Sequence, residues 1–404
     1  MTESRSAQAA AGERRYYLDW LRVISLCLLI VFHVAFVYGP RHWPVISVHW
    51  GDWMAPWLLT LTPWRMSLVY LVSGTAAGIM VLKLPWLAFV RDRFFRLVVP
   101  LAFTMLVIIP PQEWLSRMQS GQAPGELLSF WWRRALPYPE PGGGLHFPDP
   151  LHVWFLPFLF AYCVGLALFQ AAAPQALRSL VARPWPRWIM PAIVVAMGVH
   201  LALCAAFLEP RFPRTYALHN DLTAHVRWLP VFVLGVLVAS REQFWQFLAE
   251  HRWSLTAGAL GAVALMLGVR FHFSQLGQLD SPFAVQAVGT LKGIYGAATL
   301  FAIAGHARRL LTRDHAILRF MREAIMPIYL LHYLGIVLAM LLVGPWLLPF
   351  APEFGALLLG AFLPPLLLYQ LVIRRSALLL TLCGMKGRSG SAPAGRQVQV
   401  PDHA

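Results

Sequence analysis

The stretch YYLDWLRVISLCLLIVFH, residues 16–33, is apolar enough to enter a bilayer, yet it carries Asp19, Arg22 and His33. A lone Arg or Asp at the centre of a spanning helix costs about 2.5–3.5 kcal/mol on insertion scales. Helical geometry gives the spacing a meaning. At about 100° per residue, Arg22 and His33 point within ~20° of each other and lie ~16 Å apart along the axis. Lipid expels charge, so this shared face is expected to turn into the protein or a polar cavity. Asp19 precedes Arg22 by three residues, the spacing of an ion pair on one helix face.

The rest of the chain reads the same way. Of its 404 residues, 58% are hydrophobic and 13% charged, against roughly 25% charged in soluble domains. Long apolar runs recur from end to end, and mean hydropathy is +0.59. An all-α, polytopic membrane helix bundle is therefore expected. Ten candidate spans fall near 17–38, 56–82, 97–112, 151–172, 188–208, 222–240, 254–272, 285–304, 324–344 and 353–373. The second is long enough to tilt or project. The domain reading is a tail over 1–15, a membrane domain over 16–375 and a disordered tail over 376–404.

The net charge of +15 does not point to nucleic acid, because no basic run alternates with aromatics in a soluble stretch. Placing the 33 Lys and Arg on the ten spans puts 22 in the first tail and alternate loops, 6 in the opposite loops and 5 inside spans. That bias predicts cytoplasmic termini. The pair Arg14-Arg15 raises a twin-arginine export signal. The apolar run behind it is too long, holds three ionisable groups and lacks an A-x-A site, so an uncleaved first helix is expected. Cys27, Cys163, Cys204 and Cys383 lie in or beside apolar segments without CxxC spacing, which excludes a disulfide framework or metal knuckle.

The 39–55 and 113–150 connectors, rich in Trp, His and Pro, fall on the outer side. The second is longer than an idle loop. Its GGG at 142–144 follows no strand, which excludes a phosphate loop. Trp43, Trp50, Trp53 and Trp57 are candidates for stacking on sugar rings, or for an interfacial aromatic belt. His42 and His49 have no third ligand at metal spacing, so no metal is expected.

Each remaining candidate carries two readings. Arg22 and Asp19 are an interfacial ion pair or one end of a pathway. His33 is a helix–helix hydrogen bond or a base for an alcohol proton. Glu113, Asp149 and Asp52 are candidates to orient it. Arg65, near the outer end of the second span, is an anchor or an oxyanion stabiliser. His332 is a structural hydrogen bond or a second proton relay. His152 and Trp154 open the fourth span at the outer interface, where Trp is expected in any case.

Several motifs resemble one family. Asp19-Trp20-Leu21-Arg22, followed after ten residues by His33, resembles the opening D-x-L-R and His of the acyltransferase 3 family of integral membrane acyltransferases. RDRFFRLVVP (91–100) resembles its basic cytoplasmic turn, LHVWFL (151–156) its His-x-Trp-Phe-Leu segment, and MPIYLLH (326–332) its Pro-x-Tyr-Leu-x-His helix. WRMSLVYLVSG (64–74), with Ser73 and Gly74, the PPQ at 110–112 and the Gly-rich approach to LHVWFL resemble the glucan biosynthesis protein C branch. Ser67 departs from that branch's Pro. The resemblance spans roughly residues 14–375.

It implies a multi-pass enzyme of the bacterial inner membrane. Such an enzyme moves an acyl group, acetyl or succinyl, from cytoplasmic acyl-CoA to an extracytoplasmic glycan hydroxyl. The donor is a substrate; no bound cofactor is implied. Arg22, Arg93 and Arg96 would bind the anionic donor, unless the latter two merely mark topology. His33, with Arg22 and Arg65, would carry the chemistry, and Trp50, His152, Trp154 and His332 would meet the acceptor. A transporter or flippase of a glycan or lipid-linked intermediate is the alternative, since it also needs ionisable groups in mid-membrane.

Overall fold

The structure, a computed structural model, describes residues 15–40, 45–139, 145–146 and 148–385. Among these, nine helices are long and apolar enough to cross a membrane. In chain order they begin with α1 (Tyr16–Phe36), α2 (Ala55–Val81) and α3 (Trp86–Gln119). A short α4 (Leu127–Ala135) and a small antiparallel pair, β1 (Tyr138–Pro139) with β2 (Leu145–His146), follow. Then come α5 (Phe155–Ala172), α6 (Pro174–Ala182) and α7 (Ile189–Leu208). The chain continues with α8 (Leu222–Val238), α9 (Glu242–Glu250), α10 (Arg252–Gln275) and α11 (Pro282–Leu310). It closes with α12 (Ala316–Val343), α13 (Phe350–Leu371) and α14 (Ala377–Leu382). The protein is a multi-pass membrane helix bundle.

Each of the ten expected spans lies on a helix. The sixth is the irregular one: α8 has 17 residues and bends by 108° into α9, and the count is ten if this bent pair is one span. Arg241 pins the bend by donating to the carbonyl oxygens of Arg183, Leu180 and Leu237, with its guanidinium stacked on Trp185. The second span is long, as expected, at 30 residues over Asp52–Val81, and α3 is longer still. It runs 34 residues and takes in two π-helical segments, Phe94–Val98 and Thr104–Ile108. Part of the expected 113–150 loop is therefore helix. At the other end, the first residues of the segment read as a tail form α14, which buries Cys383; residues 386–404 lie outside the described residues.

Burial separates inner helices from outer ones. The apolar windows of α2 and α12 are 78% and 72% buried within the protein, against 17% for α10, which faces outward along most of its length. Lipid supplies no hydrophobic drive for helix pairing, so close packing must. The α2–α8 contact shows how. A Cβ on Gly74 would lie 2.1 Å from the Phe232 carbonyl oxygen, and one on Gly235 2.3 Å from that of Leu71. Gly74 belongs to the Ser-Gly pair singled out in the sequence, and its missing side chain lets two backbones touch.

Candidate active site

In the bundle α1 packs against both α2 and α12. One residue step turns a side chain by about 100°, so Phe32 meets Arg65 of α2 while His33 meets His332 of α12. His33 and His332 are both buried. His33 Nδ1 lies 2.9 Å from His332 Nε2, and the rings stack with centroids 5.0 Å apart. The other nitrogen of His332, Nδ1, lies 2.5 Å from the Tyr329 carbonyl oxygen.

That contact fixes the tautomers. A carbonyl can only accept, so His332 donates from Nδ1, and in the neutral ring its Nε2 is then an acceptor. His33 must donate to it from Nδ1, which leaves Nε2 of neutral His33 as the nitrogen carrying the basic lone pair. Carboxylates were the expected orienters, and none of the three named takes that role. Glu113 is ion-paired with Arg134 of α4, Asp149 accepts from the Leu151 amide at 2.8 Å, and Asp52 is exposed at the start of a short turn before α2.

His152 joins from the start of α5. Its ring sits edge-on to His332 with centroids 5.2 Å apart, and its Nε2 donates to the Leu330 carbonyl oxygen at 3.2 Å. In return, Tyr329 Oη donates to the His152 carbonyl oxygen at 2.6 Å. The structure thus brings His33, His152 and His332 together. Among the described residues, no group of three or more His, Cys, Asp or Glu is arranged to hold a metal.

Arg65 lies in the bundle beside this cluster rather than at an outer anchor position. It is buried, with its guanidinium carbon 3.3 Å from the Phe32 ring centroid. Neither its Nε nor its Nη1 has a hydrogen-bond partner, and among the described residues no carboxylate pairs with it. Two of the other cations inside spans behave differently. Lys292 and Arg227 share Glu209 at 2.8 and 3.4 Å. Burial alone would raise the Glu209 carboxyl; the two cations outweigh it and hold the group below its usual range.

Arg22, at the opposite end of α1, opens onto a cavity of about 440 Å³. Arg22, Arg93, Arg96, Arg322 and Arg374 line it, with Glu323 the one acidic residue among its lining side chains. Arg93 and Arg96 share Asp92, each at 3.1 Å. Asp19 pairs across to Arg322 at 3.6 Å rather than along its own helix with Arg22. Neither His33 nor His332 lines the cavity. Phe155 does, and its ring touches that of Tyr329 at 5.3 Å, whose carbonyl in turn holds His332.

Trp154 stands in an aromatic group with Trp228 of α8 and Tyr216, their centroids 5.0 and 5.3 Å from its own. Trp50 lies on the 45–54 segment and is 49% exposed. That segment is tied down by Ser47 Oγ donating to buried Glu353 (2.5 Å) and by His49 Nε2 donating to the Leu348 carbonyl oxygen (2.8 Å). Trp43 and His42 lie outside the described residues, as does the GGG.

Sequence reasoning flagged His332 without identifying it as the partner of His33, since no local pattern joins residues 299 positions apart. It did not single out Arg214, Trp228, Arg322 or Arg374, because nothing in their local sequence marks them.

Comparison with known proteins agrees with this architecture. The family described as "Acyltransferase domain" matches residues 15–370. Glucans biosynthesis protein C of Escherichia coli O81 (strain ED1a) is 23% identical over 333 residues, covering 80% of this chain and 82% of that protein. The same-named protein of Escherichia coli (strain K12) is 22% identical with the same coverage. No solved structure matches the chain. With nearly all of its membrane region matched, the chain belongs to the acyltransferase 3 family of integral membrane acyltransferases.

Proposed function

We propose that the protein transfers an acyl group, acetyl or succinyl, from cytoplasmic acyl-CoA to a hydroxyl of an extracytoplasmic glycan. In this reading it lies in a bacterial inner membrane with both termini in the cytoplasm. The glycan is suggested by the glucan biosynthesis named in its relatives. The observation that carries the reading is the His33–His332–Tyr329 relay, set in the same bundle as an arginine-lined cavity.

The phosphates of the donor suit the end bearing Arg22, Arg93, Arg96, Arg322 and Arg374, because arginine forks bind oxyanions with two hydrogen bonds at once. The thin pantetheine arm then lies along the face of α1 from Arg22 toward His33, about 16 Å along the helix. The cavity stops short of the histidines, so the Phe155 side chain must swing aside for the thioester to reach them.

The acceptor enters from the opposite end, where Trp50, Trp53 and Trp57 are exposed. Nε2 of His33 takes the hydroxyl proton as the oxygen attacks the thioester carbonyl carbon. His332 accepts from Nδ1 and holds the ring in that orientation. Arg65, which has no carboxylate partner among the described residues, balances the tetrahedral oxyanion. Collapse re-forms the carbonyl, breaks the carbon–sulfur bond and returns the proton from His33 to the leaving thiolate.

Two measurements test this. Purified protein in lipid should release coenzyme A thiol from acyl-CoA in the presence of glucan, and His33→Ala should abolish the release. Mass spectrometry of extracytoplasmic glycans should show the ester in cells that make the protein and not in cells that make His33→Ala. Vesicles that translocate unmodified glycan, with His33→Ala fully competent, would establish the transporter reading instead.

A further inference from the structure

Arg214 is the unexplained cation on the aromatic-rich side. It lies in the loop between α7 and α8, with its guanidinium carbon 4.1 Å from the ring of Trp228, 4.4 Å from Tyr216 and 4.8 Å from Trp154. Its Nε and Nη2 have no hydrogen-bond partner, and no carboxylate pairs with it among the described residues.

The nearby acids are committed elsewhere. Asp221 accepts from the amides of Ala224 (2.7 Å) and Tyr216 (2.8 Å), and Glu209 is held by Lys292 and Arg227. The Asp221 contact fixes Tyr216 at φ 61°, a left-handed conformation that ordinary residues adopt only at a cost. Arg65 on α2 is more than nine-tenths buried and likewise has no carboxylate partner among the described residues. Arg214 is thus a cation held on three aromatic faces with N–H groups left unpaired, an arrangement that an entering anion would complete.

We infer that Arg214 forms a subsite for an oxyanion carried by a substrate, distinct from the donor phosphates at the Arg22 end. Trp154, Tyr216 and Trp228 orient the Arg214 fork and shield it from water, which strengthens its grip on a carboxylate or phosphate. The anion rides either on the acyl group, as the distal carboxylate of a dicarboxylic monothioester, or on the acceptor. The subsite rests on the acyl-transfer reading only for which substrate brings the charge.

The test uses purified full-length protein in lipid, as wild type, Arg214→Gln and Arg214→Lys. Thermal unfolding is followed with millimolar succinate, inorganic phosphate and acetate, against chloride at matched ionic strength. The subsite predicts that succinate or phosphate raises the unfolding temperature of the wild type, less so for Arg214→Lys and not for Arg214→Gln. Turnover then locates the charge. If it rides on the acyl group, the preference for succinyl-CoA over acetyl-CoA falls about tenfold or more in Arg214→Gln. If it rides on the acceptor, the preference for a phosphorylated over a neutral glucan oligosaccharide falls instead. Equal anion stabilisation in wild type and Arg214→Gln, or both preferences kept, overturns the subsite. If the wild type consumes no acyl-CoA, the transfer reading fails, and the unfolding data alone decide the subsite.

Discussion

Replacing His332 offers the most direct check on the relay. In the native chain His332 does two things: it accepts the Nδ1 proton of His33 at 2.9 Å and donates to the Tyr329 carbonyl oxygen at 2.5 Å. His332→Phe keeps a flat ring in the space and removes both. The buried Nδ1–H of His33 then loses its acceptor, a loss of about 1–3 kcal/mol. When His33 holds the substrate proton the same bond is charge-assisted and worth about 1.5–3 kcal/mol. The tautomer with the proton on Nε2, which leaves no lone pair on that nitrogen to take the hydroxyl proton, also becomes accessible. Only the difference between the two hydrogen-bond losses, up to about 2 kcal/mol, acts on the barrier, which predicts a fall of up to about 30-fold in kcat, with the KM for acyl-CoA little changed. His332→Gln should recover much of the rate, because a side-chain amide can accept from His33 and donate to Tyr329 at once. Thiol release from acyl-CoA at saturating glucan reads all three proteins. Full activity in His332→Phe, alongside a dead His33→Ala, would refute the orienting role; a Gln variant as slow as Phe would refute the two-bond argument.

Arg22→Ala should raise the KM for acyl-CoA about tenfold and leave kcat nearly intact, with Arg22→Lys in between; steady-state kinetics with varied donor reads it. Trp50→Ala should weaken use of the glucan more than use of the donor, and equal effects on both would make the residue part of an interfacial belt. Gly74→Ala pushes a methyl against the backbone of α8, 2.1 Å from the Phe232 oxygen. It should cost about 1–3 kcal/mol or more, seen as a lower unfolding temperature, whereas Gly165→Ala, with open space around it, should be neutral. Burial pushes the Cys383 thiol up to about 12, so at pH 7.5 it stays protonated and should resist maleimide until the protein unfolds. Rapid labelling of the native protein would show that α14 does not dock.

Span positions were legible because each apolar run is long and the connectors are short and rich in Pro or Gly. The placing of Arg22 and His33 on one face was also legible, since eleven residues bring an α-helix back to the same side. What sequence could not supply was pairing across the bundle. His33 finds its partner on α12, and its alignment ends on a backbone carbonyl, which no residue type advertises. Asp19 turns to Arg322 for the same reason: a neighbouring helix comes closer than its own next turn. Arg214 was invisible in a different way. A loop arginine beside Trp is common at a membrane surface, and only the folded arrangement shows that nearby carboxylates serve other donors.

The short α8 has one further consequence. Seventeen residues rise about 25 Å, less than the roughly 30 Å of a bilayer's hydrocarbon layer. A helix too short for its surroundings draws the two leaflets together nearby. Here the pinned bend at Arg241 prevents α8 from borrowing length from α9. Water and headgroups are therefore expected to dip toward the bundle alongside Arg214 and Trp228. A soluble glycan then has less hydrocarbon depth to cross, so the thickness of the host membrane becomes part of the enzyme's reach.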